Sequence, residues 1–212
     1  MYKFIIIGFI FINSFAQNFK SAEIKYNAIY TNLEITDTQS SKSQKLFKIL
    51  NDMSKDKEFI LKINTKGFYF TETKKMQDDK TKILNSVGNA MFSVYNFFYL
   101  KDKKTLIKEQ GSDQIKKDPN YNWKFINETK KIDKFLCHKA ECIIKFKNRN
   151  GENTSKKITA WYAPSINFNY GPNGYMGLPG LILELEYNKT KLVAKEVKLF
   201  KDDVLIKYPK IK

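Results

Sequence analysis

From Trp123 to Lys201 the chain reads as one strand-like run after another: WKFINETKKI, FLCHKAECIIKF, KKITAWYAP, LILELEY and KLVAKEVKLFK. Turn residues separate the runs, with Asn148-Arg149-Asn150-Gly151 and Asn188-Lys189 as the clearest breaks. Strands joined by short turns pair antiparallel, because a parallel pair needs a crossover of about a dozen residues or more. This half of the chain therefore predicts an antiparallel sheet.

The first half adds strands and room for helices. AEIKYNAIYTNL (22–33) puts Ile24, Tyr26, Ala28 and Tyr30 on one side, the period-two pattern of a strand. EFILKIN (58–64) and GFYFTET (67–73) flank Thr65-Lys66-Gly67 as a hairpin, and VYNFFYL (94–100) and TLIKEQ (105–110) flank Lys101–Lys104 as a second. GSDQIKKDPN (111–120) reads as a loop. Leu46, Ile49, Leu50 and Met53 fall at helical spacing behind Ser41 or Ser43, predicting a helix over 43–54. ILNSVGNAMF (83–92) is a second, shorter helix candidate that Gly88 weakens. With 42% hydrophobic and 15% aromatic residues, a packed core is within reach. There is no internal repeat or linker, so the expectation is a mainly β (α+β) fold: a single domain over 17–212 with one or two helices.

Residues 1–16 read as a secretory signal peptide. Lys3 is the positive start, Phe4 to Ile12 the apolar stretch, and Ser14-Phe15-Ala16 a small-x-small cleavage site leaving Gln17 first. The apolar stretch is well short of the ~20 residues that span a bilayer. The expected location is outside the cytoplasm, in the periplasm or cell envelope, or secreted. The net charge of +16 is almost all lysine, since Arg149 is the only arginine. Arginine is the residue suited to bidentate phosphate and base recognition, so no nucleic-acid partner is expected. A solvated basic surface, or attraction to anionic lipid headgroups, accounts for the charge.

The residues that could carry chemistry are few. Cys137 and Cys142 flank His138-Lys139-Ala140-Glu141. On one continuous strand they lie about 16 Å apart at ~3.3 Å per residue and point to opposite faces. A disulfide needs Cα atoms within about 7 Å, which only a hairpin turning at 138–141 allows. His138 is the only histidine; it shares a strand face with Cys142 but not with Cys137. That arrangement suits neither a four-ligand zinc site nor a thiol–imidazole pair, and no Gly-x-Ser-x-Gly elbow is present. No metal, cofactor or catalytic residue is predicted. Asp78-Asp79, Asp202-Asp203, Glu184 and Glu186 read as surface carboxylates. Tyr95, Phe97, Phe98, Tyr99 and Trp161-Tyr162 are either core or the lining of a concave face for an acyl chain. Gly171–Tyr187, GPNGYMGLPGLILELEY, lacks the Gly-x-x-x-x-Gly-Lys of a phosphate loop. Leu178-Pro179-Gly180-Leu181 instead fits a type II turn leading into a strand whose Leu181, Leu183, Leu185 and Tyr187 face the core.

Several of these residues fall in one order. Trp123, Glu128-Thr129-Lys130-Lys131-Ile132 and Phe135-Leu136-Cys137-His138-Lys139-Ala140 resemble the pattern W-x-i-x-x-E-x-K-x-I-x-x-y-x-C-x-K-A. Ala160-Trp161-Tyr162, Gly171-Pro172 and Gly177-Leu178-Pro179-Gly180-Leu181-Ile182-Leu183 follow. Together they resemble the GLPGLI family, exported proteins of Bacteroidota also grouped as a Porphyromonas-type domain. Lys134 stands where that family commonly has glycine. The resemblance implies a curved antiparallel sheet, a half-barrel like that of periplasmic lipoprotein carriers. It implies Cys137 in mid-strand, hence no disulfide, and it brings no established activity. The function expected is non-enzymatic binding of an apolar or amphiphilic ligand, or of an envelope partner. The rivals are an exported hydrolase of unrecognised type and a structural accessory to an outer-membrane receptor.

Overall fold

The computed structural model of the protein describes residues 18–30, 57–73, 93–148, 150–188 and 190–211. The expected leader and both expected helices lie outside the described residues. Eleven strands form one antiparallel sheet: β1 (Ser21–Tyr30), β2 (Glu58–Asn64), β3 (Gly67–Glu72), β4 (Asn96–Leu100), β5 (Thr105–Gln110), β6 (Asp113–Lys117), β7 (Lys124–Ile132), β8 (Phe135–Lys147), β9 (Asn153–Ala163), β10 (Leu181–Tyr187) and β11 (Thr190–Phe200). The mainly β antiparallel fold expected from the sequence is the fold found.

The strand order is β6-β5-β4-β3-β2-β1-β11-β10-β9-β8-β7. Each strand lies beside its neighbour in sequence, except that β1 pairs with β11 and that β6 and β7 are the two edges. Ten gaps of ~4.8 Å would hold those edges roughly 48 Å apart in a flat sheet. Only residues 118–123 join β6 to β7, and seven Cα steps reach at most about 25 Å. The sheet must therefore curl until its edges approach, as an up-and-down barrel left open along one seam. Bulges help it bend: the register shifts at Lys25/Tyr26 opposite β11, at Ile182/Glu184 opposite β9 and at Ile126/Thr129 opposite β8.

Alternation decides which side is inside. Tyr26 lies opposite Phe59, Ile24 opposite Leu61, Phe70 opposite both Leu61 and Phe97, and Tyr99 opposite Phe68 and Leu106. All of these side chains are buried. Each such large apolar side chain contributes about 1.5–3 kcal/mol on leaving water. Both expected hairpins are present, with Asn64 opposite Gly67 and Leu100 opposite Thr105.

One segment expected to be loop is strand. Residues 113–117 pair with β5 through a two-residue turn at Gly111-Ser112, Gln110 lying opposite Asp113. Of the five residues of β6, only Ile115 is apolar, so the alternation that marks a half-buried strand is missing. The backbone pairing of the hairpin holds this edge instead. Between β7 and β8, Asp133 rather than Lys134 takes positive φ, +53°, in a two-residue turn that sets Ile132 opposite Phe135.

Candidate functional site

Most of the GPNGYMGLPG segment lies away from the surface. It folds back into the barrel, and Tyr170 to Met176 are all buried. Asn173, at φ +54°, is its anchor. Its Oδ1 accepts from the Tyr95 N–H (3.0 Å), and its Nδ2 donates to the Ser93 carbonyl (3.1 Å) and to the Tyr187 hydroxyl oxygen (2.9 Å). Gly171 packs on Ile182, and a Cβ on Gly174 would come within 2.5 Å of the Phe97 ring. The connection across the seam closes over this plug: the Tyr121 hydroxyl donates to the Gly174 carbonyl (3.1 Å) and the Trp123 indole N–H to the Met176 carbonyl (2.9 Å). Opposite, the buried Tyr26 hydroxyl donates to the Ile182 carbonyl (2.6 Å).

The turn after the plug differs from the type II turn expected. The Gly180 N–H donates to the Leu178 carbonyl (2.8 Å), the two-residue reach of a γ-turn around Pro179, while the Leu181 N–H donates to the Ile166 carbonyl (3.2 Å). Gly180 has φ +154°, and its missing Cβ would sit 2.4 Å from the Ala163 carbonyl oxygen. Leu178, Leu181 and Ile182 are fully buried, whereas Gly177 and Pro179 are exposed. Leu183 is the extra residue of the bulge against β9, since Ile182 faces Tyr162 and Glu184 faces Trp161.

The remaining motif residues divide between the two faces of the sheet. Ala140 is buried inside, opposite Ala160. Trp161 faces outward beside Lys139 and Glu184. Lys130 reaches over the Trp161 ring at 4.3 Å to the Glu184 carboxylate at 2.7 Å, and Lys139 lies 5.8 Å from the same ring. Lys139 is held by Glu128 (2.9 Å), and Lys191 meets the other oxygen of Glu184 at 3.3 Å. Glu184 is thus not the surface carboxylate expected: its side chain is 8% exposed and both oxygens are occupied by ammonium groups. Exposed ion pairs contribute about 0–1 kcal/mol, but losing one partner of a buried charge costs more. The pattern E-x-K…C-x-K…W therefore meets on one outer patch, a convergence that only strand register reveals.

Cys137 and Cys142 are both buried and free, on a β8 that runs unbroken through them. Burial pushes each thiol up to about 11. His138 faces inward, its ring centroid 5.9 Å from that of Tyr162, on the side of the strand away from Cys137. Among the described residues no group of three or more His, Cys, Asp and Glu could hold a metal ion.

Of the aromatic run 95–99, Phe97, Phe98 and Tyr99 are core. Tyr95 instead meets the ammonium group of Lys108, 3.3 Å from its ring centre. Toward the seam the inner face changes character. Ile115 faces inward across from Lys108, Phe125 across from Ala140, and Phe146 lies on the inward register of β8. These three are 38%, 60% and 45% exposed. A groove of about 560 Å³ opens at the end of the β8–β9 hairpin, against Phe146 and Thr154. Lys108, Lys117 and Lys156 also project to this side.

No curated protein matches the chain. Two solved structures of PNGF-II, in the C2 and P21 space groups, are similar to it at TM-scores of 0.46 and 0.47 and 17% identity. The similarity covers 86% of this chain but only 28% and 29% of those chains, so this chain spans less than a third of their length. The model of a family described as a protein of unknown function (Porph_ging) matches residues 145–184, from the end of β8 through β9 and the plug to Glu184.

Proposed function

We propose that this is an exported cell-envelope protein of the GLPGLI type that binds an amphiphilic ligand at its open seam and performs no catalysis on it. The observation that carries this reading is the contrast along the inner face. Around β1 to β4 its large side chains are buried, yet beside the seam Ile115, Phe125 and Phe146 stand 38%, 60% and 45% exposed. Exposed apolar groups along a concave surface mark a place where another apolar body fits. The buried side chains around β1 to β4 already fill the other half of the barrel, which favours entry at the seam.

Native purification followed by lipid mass spectrometry tests the reading. Co-purified or freely taken-up lipid, lost on Phe125→Ser, is the expected result. A protein that arrives empty and takes up none would overturn it. Export has its own test in N-terminal sequencing of the extracytoplasmic form: Gln17 first is expected, and an intact Met1 would remove the envelope half of the proposal.

A further inference from the structure

Three lysines converge on the inner side of the seam. Lys108 on β5 lies opposite Phe97 and Ile115, Lys117 on β6 opposite Leu106, and Lys156 on β9 opposite Ile144. The first two come from one side of the opening and the third from the other, so the curl alone brings them together. Lys108 also reaches the Gln110 side-chain oxygen at 3.0 Å, and the Lys156 ammonium group lies 5.8 Å from the Tyr187 ring centre. None of the three is ion-paired with a described carboxylate. Elsewhere this chain pairs its lysines readily: Lys25 with Glu196, Lys139 with Glu128, Lys157 with Glu141 and Lys130 with Glu184. Burial, with the neighbouring lysine charges, pulls Lys108 and Lys156 below the ordinary lysine value. Three like charges facing each other beside apolar side chains disfavour the fold unless an anion joins them.

We propose that the seam takes an anionic amphiphile, its phosphate or carboxylate head held between Lys108, Lys117 and Lys156 and its chain laid along Ile115 and Phe146. This rests on the amphiphile-binding reading above and names the class of ligand. Charge complementarity selects the occupant: a neutral or cationic head would leave the three ammonium groups without a counterion. A lipid-like anion satisfies both halves of the site, whereas a free anion would leave the apolar half bare.

Titration calorimetry on the full chain tests this below the micelle concentration, with dodecyl phosphate, dodecyl maltoside, dodecyltrimethylammonium and inorganic phosphate as probes. Dodecyl phosphate should bind about tenfold or more tighter than dodecyl maltoside, a step of one decade in affinity. Replacing all three lysines with glutamine should erase that advantage and leave dodecyl maltoside binding unchanged. Should the triple variant misfold by near-UV circular dichroism, Lys117→Gln at the exposed edge must still weaken dodecyl phosphate about threefold, the size of a modest charge contact. Equal binding of the two amphiphiles, or an advantage that survives these substitutions, overturns the anion site and leaves the amphiphile reading standing. Tight binding of inorganic phosphate alone makes it a free-anion site and overturns the proposal. If no amphiphile binds, both readings fall together.

Discussion

A side chain on Gly180 meets two obstacles at once. Its φ of +154° is one that L residues rarely adopt, and its Cβ would press on the Ala163 carbonyl oxygen at 2.4 Å. Backbone cannot swing aside as a side chain can. Gly180→Val should destabilise the protein by roughly 1–3 kcal/mol for the backbone strain alone, with the clash added to it. Urea unfolding of the purified variant measures this, and an unchanged midpoint would show that β10 can move away from β9. The need for glycine here was legible in the sequence. The type of turn was not, because Pro-Gly suits both a type II and a γ-turn, and the choice rests on Ile166, which draws the Leu181 N–H away.

Among the elements, one side chain of the plug binds two strands at once. Asn173 ties it to β4 through the Tyr95 N–H and to β10 through the Tyr187 hydroxyl. Asn173→Ala would orphan the part-buried Tyr95 N–H and forfeit a side-chain bond to a buried phenol, and should cost about 1–3 kcal/mol. Thermal unfolding checks the loss, and near-UV circular dichroism should show the tyrosines loosening. The hairpins β2–β3 and β4–β5 could be read from the sequence because each joins apolar residues at alternating positions to a short polar turn. β6 could not, being nearly all polar. The outer patch of Lys130, Lys139, Trp161 and Glu184 was hidden for another reason: its members touch only through cross-strand register, and the bulge at Leu183 shifts that register by one. No period in the sequence announces a bulge.

On the scale of the molecule, the seam sets stability against occupancy. Removing one of the facing lysine charges from an empty site should stabilise the fold, so Lys156→Met is expected to add about 0.5–2 kcal/mol, the range of surface-charge and packing gains. A lower melting temperature for this variant would mean that Lys156 has a favourable partner. Alkali acts on the whole interior. Burial holds Tyr26 and Tyr187 far above the ordinary value of 10.0, and Cys137 and Cys142 at about 11 against an ordinary 9.0. The folded state keeps these protons while the unfolded chain releases them, so their contribution is full below pH 9 and falls as pH rises through 9 to 11. Lys108 and Lys156, lowered in the fold, act in the opposite sense as pH approaches 10.5. Buried phenols and thiols outnumber them, so the urea midpoint should drop between pH 8 and pH 10.5. A midpoint that rises instead would put the lysines in control.

The pairing of β1 with β11 also has a consequence in time. Every other neighbouring pair joins strands consecutive in the chain, but Ser21 waits for Phe200. On a chain made from its N-terminus, the first strand keeps a bare edge until the last emerges. The Tyr26 hydroxyl, which needs the Ile182 carbonyl, likewise waits for β10. The two runs of hairpins, β1 to β6 and β7 to β11, can each zip locally and fast, whereas joining them closes a loop nearly as long as the protein. Joining is then the slow event, and a chain halted before β11 would present one long, sticky strand edge to whatever lies nearby.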